Sequence, residues 1–337
     1  MKKSNLFLGI AVATFALTAC SNDDTGSTAV VRDFKLFTSS NTSGKISITD
    51  LATATPITKS FAVSATDADG IFYNPTADEI IQASRTNTRL DVYNNIKTAY
   101  SSDAATLNLL TSSAGTDFSN PREIAVSGDT VIVTQDQSAA NGLTNKLIVY
   151  KRTASGLTLF KSYTVNFKLW GIHYEGTTLY AVADATGDLV SFSNFTDNAD
   201  GAIIPTKRVT IEGLVRTHGI TYSATDNLMV LTDVGDAASA TDGGIITISN
   251  FTSVFNSTTN GGMIAMASQK RIYGPNSLLG NPVDVAYDSV SNSIFIAERL
   301  NGGGQVLTFD APTTSGDVAP DSARAEAGIS AVYLLRR

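Results

Sequence analysis

Residues 170–192, WGIHYEGTTLYAVADATGDLVSF, contain three short apolar runs with turn residues between them. Gly171-Ile172-His173-Tyr174, Leu179-Tyr180-Ala181-Val182-Ala183 and Leu189-Val190-Ser191-Phe192 read as antiparallel strands joined by Glu175-Gly176-Thr177-Thr178 and Ala185-Thr186-Gly187-Asp188. No run is long enough for a stable helix. A lone meander cannot bury both of its apolar faces, so the unit predicts neighbours of its own kind.

Those neighbours are in the chain. The first-strand pattern returns at Gly70-Ile71-Phe72-Tyr73, Glu123-Ile124-Ala125-Val126, Gly219-Ile220-Thr221-Tyr222 and Asp284-Val285-Ala286-Tyr287, each followed by a turn and a second apolar run. Val126 and Tyr174 reach Asp136 and Asp184 after ten positions; Tyr222 and Tyr287, with turns read as one residue longer, reach Asp233 and Glu298 after eleven. The copy starting at Gly70 has Ser84 there, beside Arg85. The first unit is expected from Phe61 to Asn94, with residues 95–119 carrying its outer strand or the crossover. The ends read as halves of a sixth unit. Phe34-Lys35-Leu36-Phe37-Thr38 and Lys45-Ile46-Ser47-Ile48-Thr49 match a second and third strand, and residues 328–335 match a first strand with nothing after it. If these halves pair, a ring of sheets closes without an open edge.

On these residues the chain resembles a six-bladed β-propeller of the NHL and YVTN repeat kind. Asn281-Pro282-Val283-Asp284-Val285-Ala286-Tyr287-Asp288, Asn292-Ser293-Ile294-Phe295-Ile296-Ala297-Glu298 and Gln305-Val306-Leu307-Thr308-Phe309 follow one blade of that pattern. Gly201-Ala202-Ile203-Ile204-Pro205 and Gly316-Asp317-Val318-Ala319-Pro320 match its G-x-x-x-P segments between blades. The expected fold is therefore all-β, a six-bladed propeller over residues 29–337 with its last blade closed by N- and C-terminal strands. Architecture of this kind does not fix activity.

The sequence has 42% hydrophobic residues but only 16% charged ones, and no segment shows sustained helical periodicity. Its formal charge is −7, or −9 once Lys2 and Lys3 are removed (−7 − 2), which argues against a nucleic-acid partner. The single cysteine lies at Leu17-Thr18-Ala19-Cys20, after a basic start and an apolar run from Leu6 to Leu17. This resembles a bacterial lipobox, which implies a signal peptide over residues 1–19, a lipidated Cys20, a tether over 20–28 and a place in the cell envelope. Asn22-Asp23-Asp24 resembles an acidic tag for the outer surface, so the expected location is the outer membrane, facing either side.

In propellers the first strands begin, and the second strands end, on one face of the disc, which the resemblance makes the usual ligand face. Two rings of residues are expected there. Asp69, Arg122, Glu123, Trp170, His218 and Asp284 form the inner ring; Ser84, Arg85, Asp136, Asp184, Asp233, Glu298 and Arg299 form the second. The recurring acids of the second ring are expected to cap the turns that follow them. The inner ring varies from blade to blade, as a ligand site would, although Trp170 and His218 could equally fill the channel mouth. His173 is expected to be a core residue with a satisfied ring.

Two histidines and one lipidated cysteine cannot build an ordinary zinc site. A calcium site made of carboxylates and amides at the channel mouth is compatible with the composition. It would resemble the gluconolactonase and paraoxonase propellers, where the metal polarises a lactone or ester carbonyl. Asp67-Ala68-Asp69-Gly70 has its glycine too early for an EF-hand, and no G-x-S-x-G elbow or phosphate loop is present. The leading expectation is thus a binding or scaffold module without a cofactor, recognising an envelope protein, a glycan or a small ligand. Its rival is a calcium-dependent lactonase or esterase.

Overall fold

The computed structural model describes residues 33–337; Cys20 and the expected leader and tether lie outside them. The described chain forms six sheets of four antiparallel strands, each threaded from the centre of a ring outward, and two of them gain a short parallel fifth strand from the next blade. Blade 1 comprises Ala68–Asn74, Glu79–Ser84, Arg89–Asn94 and Asn108–Ser112. Blades 2 to 5 open with inner strands Pro121–Ser127, Leu169–Glu175, Thr217–Ser223 and Pro282–Asp288. Blade 6 is composite. Its inner strand is the C-terminal Ile329–Arg336, paired with the N-terminal Phe34–Ser40, then Lys45–Asp50 and Ile57–Ala62. Phe61, expected to open the first unit, therefore belongs to the outermost strand of the closing blade.

Apolar side chains of adjacent blades interlock into one cluster per junction, from the Phe37–Tyr73 cluster between blades 6 and 1 to the Leu36–Val332 cluster between blades 5 and 6. Gly70, Gly171 and Gly219 occupy the same inner-strand position because the next blade's backbone lies against it. A Cβ on Gly70 would sit 2.5 Å from the Ile124 nitrogen, and one on Gly219 2.9 Å from the Asp284 Cα. The G-x-x-x-P segments prove to be latches. Gly201 pairs with Tyr163 of blade 2 and Gly316 bridges to Ile272 of blade 4, each covering the outer edge of the preceding blade.

Two short helices, Ile96–Ser101 and Phe251–Ser257, depart from the helix-free reading. Each follows an asparagine in the left-handed region, Asn95 and Asn250, and tucks its first residue, Ile96 or Phe251, between blades, the second helix adding Phe255. At one to two turns they carry too little periodic sequence to stand out. No helix of the described residues is long and apolar enough to cross a membrane.

The acids of the second ring fall into two registers. Ser84, Asp233 and Glu298 pair with the first residue of their inner strands, whereas Asp136 and Asp184 lie one residue beyond that pair. The turns at 223–228 and 288–293 are longer than those at 127–130 and 175–178 by two residues, not one. Adjacent residues on a strand point to opposite sides, so this offset sends the two pairs of acids to different work.

Candidate functional site

Asp233 and Glu298 are caps, as expected. Asp233 accepts hydrogen bonds from the N–H groups of Val215, Arg216 and Gly235. Glu298 accepts from Gly280, Asn281, Leu300 and Asn301. In both blades the carboxylate ties the entry loop of the inner strand to the turn after the second strand, satisfying buried backbone donors. Ser84 caps only the turn that follows it, accepting from the Asn87 N–H. Arg85 is held at the rim by Asp67 and Asn120, and Arg299 is exposed.

Asp136 and Asp184 instead join the inner ring. Arg122 reaches Asp69 at 3.4 Å and Asp136 at 3.3 Å, with its guanidinium 4.0 Å above the Trp170 ring. Trp170 stacks on His218 with centroids 3.6 Å apart and planes 4° from parallel. His218 Nε2 lies 3.0 Å from Asp184 Oδ1, and Arg216 Nε donates to the same oxygen at 2.8 Å. Burial would raise Asp184, but the hydrogen bonds from His218 and Arg216 hold it below the usual carboxylate range. Burial pushes His218 down to about 4 even against the Asp184 carboxylate, so the ring is neutral at pH 7. Its proton sits on Nε2, facing Asp184, which leaves Nδ1 as an acceptor. A ladder of three planar groups from blades 2, 3 and 4 thus spans half the mouth.

Within that ladder Arg122 Nε, Asp136 Oδ1 and His218 Nδ1 are buried without partners. Lys168, Arg85, Arg216 and Arg299 stand around them, close enough to bear on the charges of Asp136, Asp184 and Asp69.

Below the ladder the channel is bridged by two acids. In blades 2 and 5 the glycine of the inner strand is replaced by Glu123 and Asp284. Glu123 accepts from its own Ile124 N–H; Asp284 accepts from Val285 and, in the next blade, from Val332, both at 2.7 Å. These blades oppose each other across the ring, and the two carboxyls are near enough for each to act on the charge of the other. Burial raises Glu123 well above the usual carboxylate range, Asp284 to about 7 and nearby Asp69 to about 6. Past this pair, a cavity of about 200 Å³ runs toward the opposite face between Phe72, Ile172, His173, Val285 and Tyr333. His173 lines this cavity. Its Nδ1 accepts from the Tyr222 N–H at 3.3 Å, but Nε2 has no hydrogen-bond partner, so its ring is only half satisfied.

The acid pair carries a pH signature. Between the ordinary 4.5 of Glu123 and its raised folded value, the folded chain holds a proton the unfolded chain has lost, so this group's contribution to stability falls as pH climbs. Glu123→Gln supplies an amide that mimics the protonated acid, donating to Asp284 while accepting from Ile124. Its melting temperature should exceed the parent's by a few degrees at pH 8, with the gap closing at pH 4. Thermal melts across that range check it, and a pH-independent difference would count against the raised Glu123 acid.

The structure therefore brings together Asp69, Arg122, Glu123, Trp170, His218 and Asp284, and sets Arg85, Glu298 and Arg299 at the rim or in caps. Reading the sequence assigned Asp184 and Asp136 to capping and passed over Arg216 and Lys168. Their spacing from the inner strands, corrected for turn length, carries the missing signal. Among the described residues, no three His, Cys, Asp or Glu side chains are grouped to hold a metal ion.

No protein-family model and no curated protein matches the chain. Solved structures do match, and three of them show the likeness at low identity. A chain of a nidogen/laminin complex is 12% identical at a TM-score of 0.62, covering 89% of this chain and 98% of that one. A Bacteroides caccae protein of unknown function is 11% identical at 0.59, covering 90% and 100%. A Bacteroides fragilis protein described as a "putative 6-phosphogluconolactonase" is 10% identical at 0.58, covering 93% and 100%. At such identities the likeness is one of fold.

Proposed function

We propose that this chain is a lipid-anchored binding propeller of the bacterial cell envelope, whose small polar ligand seats at the channel mouth on Arg122, Trp170 and His218. The carrying observation is the set of unpartnered polar atoms in that ladder, Arg122 Nε, Asp136 Oδ1 and His218 Nδ1. A buried polar atom left unmatched costs about 1–3 kcal/mol, and packing alone gives no reason to keep three together. The contacts of Arg122 at 3.3 and 3.4 Å are long for charge-assisted bonds, which favour about 2.7–2.9 Å. Its guanidinium can therefore swing to an acceptor on a ligand while Asp136 and His218 Nδ1 take ligand donors. A hydroxy acid, an amino acid or a sugar acid offers both. The anchor rests on the Leu17-Thr18-Ala19-Cys20 pattern.

A thermal-shift panel of such compounds should contain at least one that raises the melting temperature. Arg122→Gln should cancel that rise by weakening binding tenfold or more, each protein being compared with its own unliganded melting point, which the variant lowers by leaving Asp69 and Asp136 without their cation. A panel without a hit, or a hit indifferent to Arg122→Gln, removes the mouth as the site.

A second reading, calcium-dependent lactone or ester hydrolysis, rests on the description of the B. fragilis neighbour; Asp69, Glu123 and Asp284 act on one another's charge in the channel and could serve as acid or base, but they are not grouped to hold the metal. Turnover of lactones by the purified protein that depends on added calcium would displace the binding reading.

A further inference from the structure

The junctions between blades are plugged in a regular way, and one plug is missing. At or just after the end of the third strand, one residue turns inward between its blade and the one before it, and in five of the six blades its N–H bonds back to the start of the second strand. Phe195 donates to Thr177, Phe251 to Asn227, Arg152 to Asp129, Leu51 to Phe34 and Ala311 to Asn292, at 2.7–2.9 Å. Phe195 and Phe251 are fully buried, and Ile96 is buried at the equivalent place in blade 1. Leu51 packs into the junction of blades 5 and 6, and in the junction of blades 1 and 2 Arg152 pairs with Glu79 of blade 1. Between blades 4 and 5 the plug is only Ala311, followed by Pro312. A groove of about 630 Å³ is open at that junction, within the ~300–1,000 Å³ usual for small-ligand sites.

Its lining is two-sided. Leu228, Tyr287, Ala311 and Pro312 supply an apolar wall. Around them stand Asp226, Asp310, Lys270, Asn292 and the hydroxyls of Ser249 and Thr313. A phenyl ring would satisfy the wall and strand the rim. A pyranose satisfies both, because its C–H face packs on apolar and aromatic surface while its hydroxyls bridge carboxylates, amides and ammonium groups.

We propose that the groove between blades 4 and 5 is a carbohydrate-binding site, separate from the channel mouth, which seats one sugar ring where the other junctions seat a side chain. The ring lies against Leu228 and Tyr287; Asp310, Asp226 and Lys270 take its hydroxyls.

The test titrates the full chain with cellotriose, maltotriose, xylotriose and chitotriose, following groove resonances by NMR and affinity by calorimetry. At least one should bind with a dissociation constant in the millimolar range or tighter. Ala311→Phe, which restores the missing plug, should abolish that binding while leaving the melting temperature unchanged or higher. Asp310→Ala, at an exposed rim position, should weaken it at least fivefold and keeps the test open if the plugged variant does not fold. The proposal is overturned if no trisaccharide binds, if Ala311→Phe folds and binds as the parent does, or if the peptide acetyl-Ser-Phe-Thr-amide shifts the groove resonances at lower concentration than every sugar. Arg122→Gln should leave this binding intact, which separates its failure from that of the mouth.

Discussion

Removal of residues 329–337 should abolish cooperative unfolding. The segment is the inner strand of blade 6 and pairs with Phe34–Ser40 along its length. It buries Ile329, Val332 and Leu335, worth roughly 5–9 kcal/mol at ~1.5–3 kcal/mol for each side chain. That is of the order of the whole stability of a domain, ~5–15 kcal/mol. The loss reaches both neighbours. Ser330 donates to the Ala68 carbonyl of blade 1 at 2.6 Å, and the Val332 N–H holds Asp284 of blade 5 at 2.7 Å. Without the strand, Asp284 becomes a buried acid with one fewer donor, and blades 1 and 5 face an open slot. Circular dichroism melts of the truncated chain should show a broad, low transition. A midpoint equal to the parent's would mean that the ring does not depend on its closure.

That closure was readable from the sequence, because half-units at the two ends complement each other in a pattern already counted in the middle. The inner strands were readable for the same reason, down to the glycines at 70, 171 and 219. The closing blade's outer strand was misplaced because Ile57–Ala62 is an exposed edge whose mixed pattern, with only Phe61 buried, resembles a loop. The plugs were missed although Ser-Asn-Phe-Thr occurs twice, at 193–196 and 249–252. Asparagine in the left-handed region followed by a buried phenylalanine is a local signature, but it falls between strands, where periodicity carries no information. The site was partly readable. Inner-strand residues were found by position, yet the meeting of Glu123 with Asp284 follows from their blades lying opposite one another, a relation that no spacing along the chain expresses. The stack of Arg122, Trp170 and His218 likewise joins consecutive blades through the curvature of the ring.

The curvature depends on close approach at the inner glycines, and Gly171 gives the sharpest case. A Cβ there would overlap the carbonyl oxygen of His218, a backbone atom that can yield only if blade 4 moves as a body. Gly171→Ala should therefore cost about 3 kcal/mol or more, at the upper end of the ~1–3 kcal/mol typical of overpacked cores. Gly176→Ala is the matched control. Gly176 has φ 59° in an exposed turn with nothing within 4 Å of a Cβ, so it should lose only the ~1–2 kcal/mol of a left-handed backbone. Urea midpoints rank the two variants, and the chain carries its own probe, since Trp170 is the only tryptophan and precedes Gly171. Pushing blade 4 outward separates His218 from the indole, now 3.6 Å away, and admits water to a ring that is 7% exposed. The emission of folded Gly171→Ala should shift to the red, and that of Gly176→Ala should not. Equal midpoints together with unchanged emission would show that the blades have slack at this contact, and the stacked mouth would then owe its geometry to something other than the glycine beneath it.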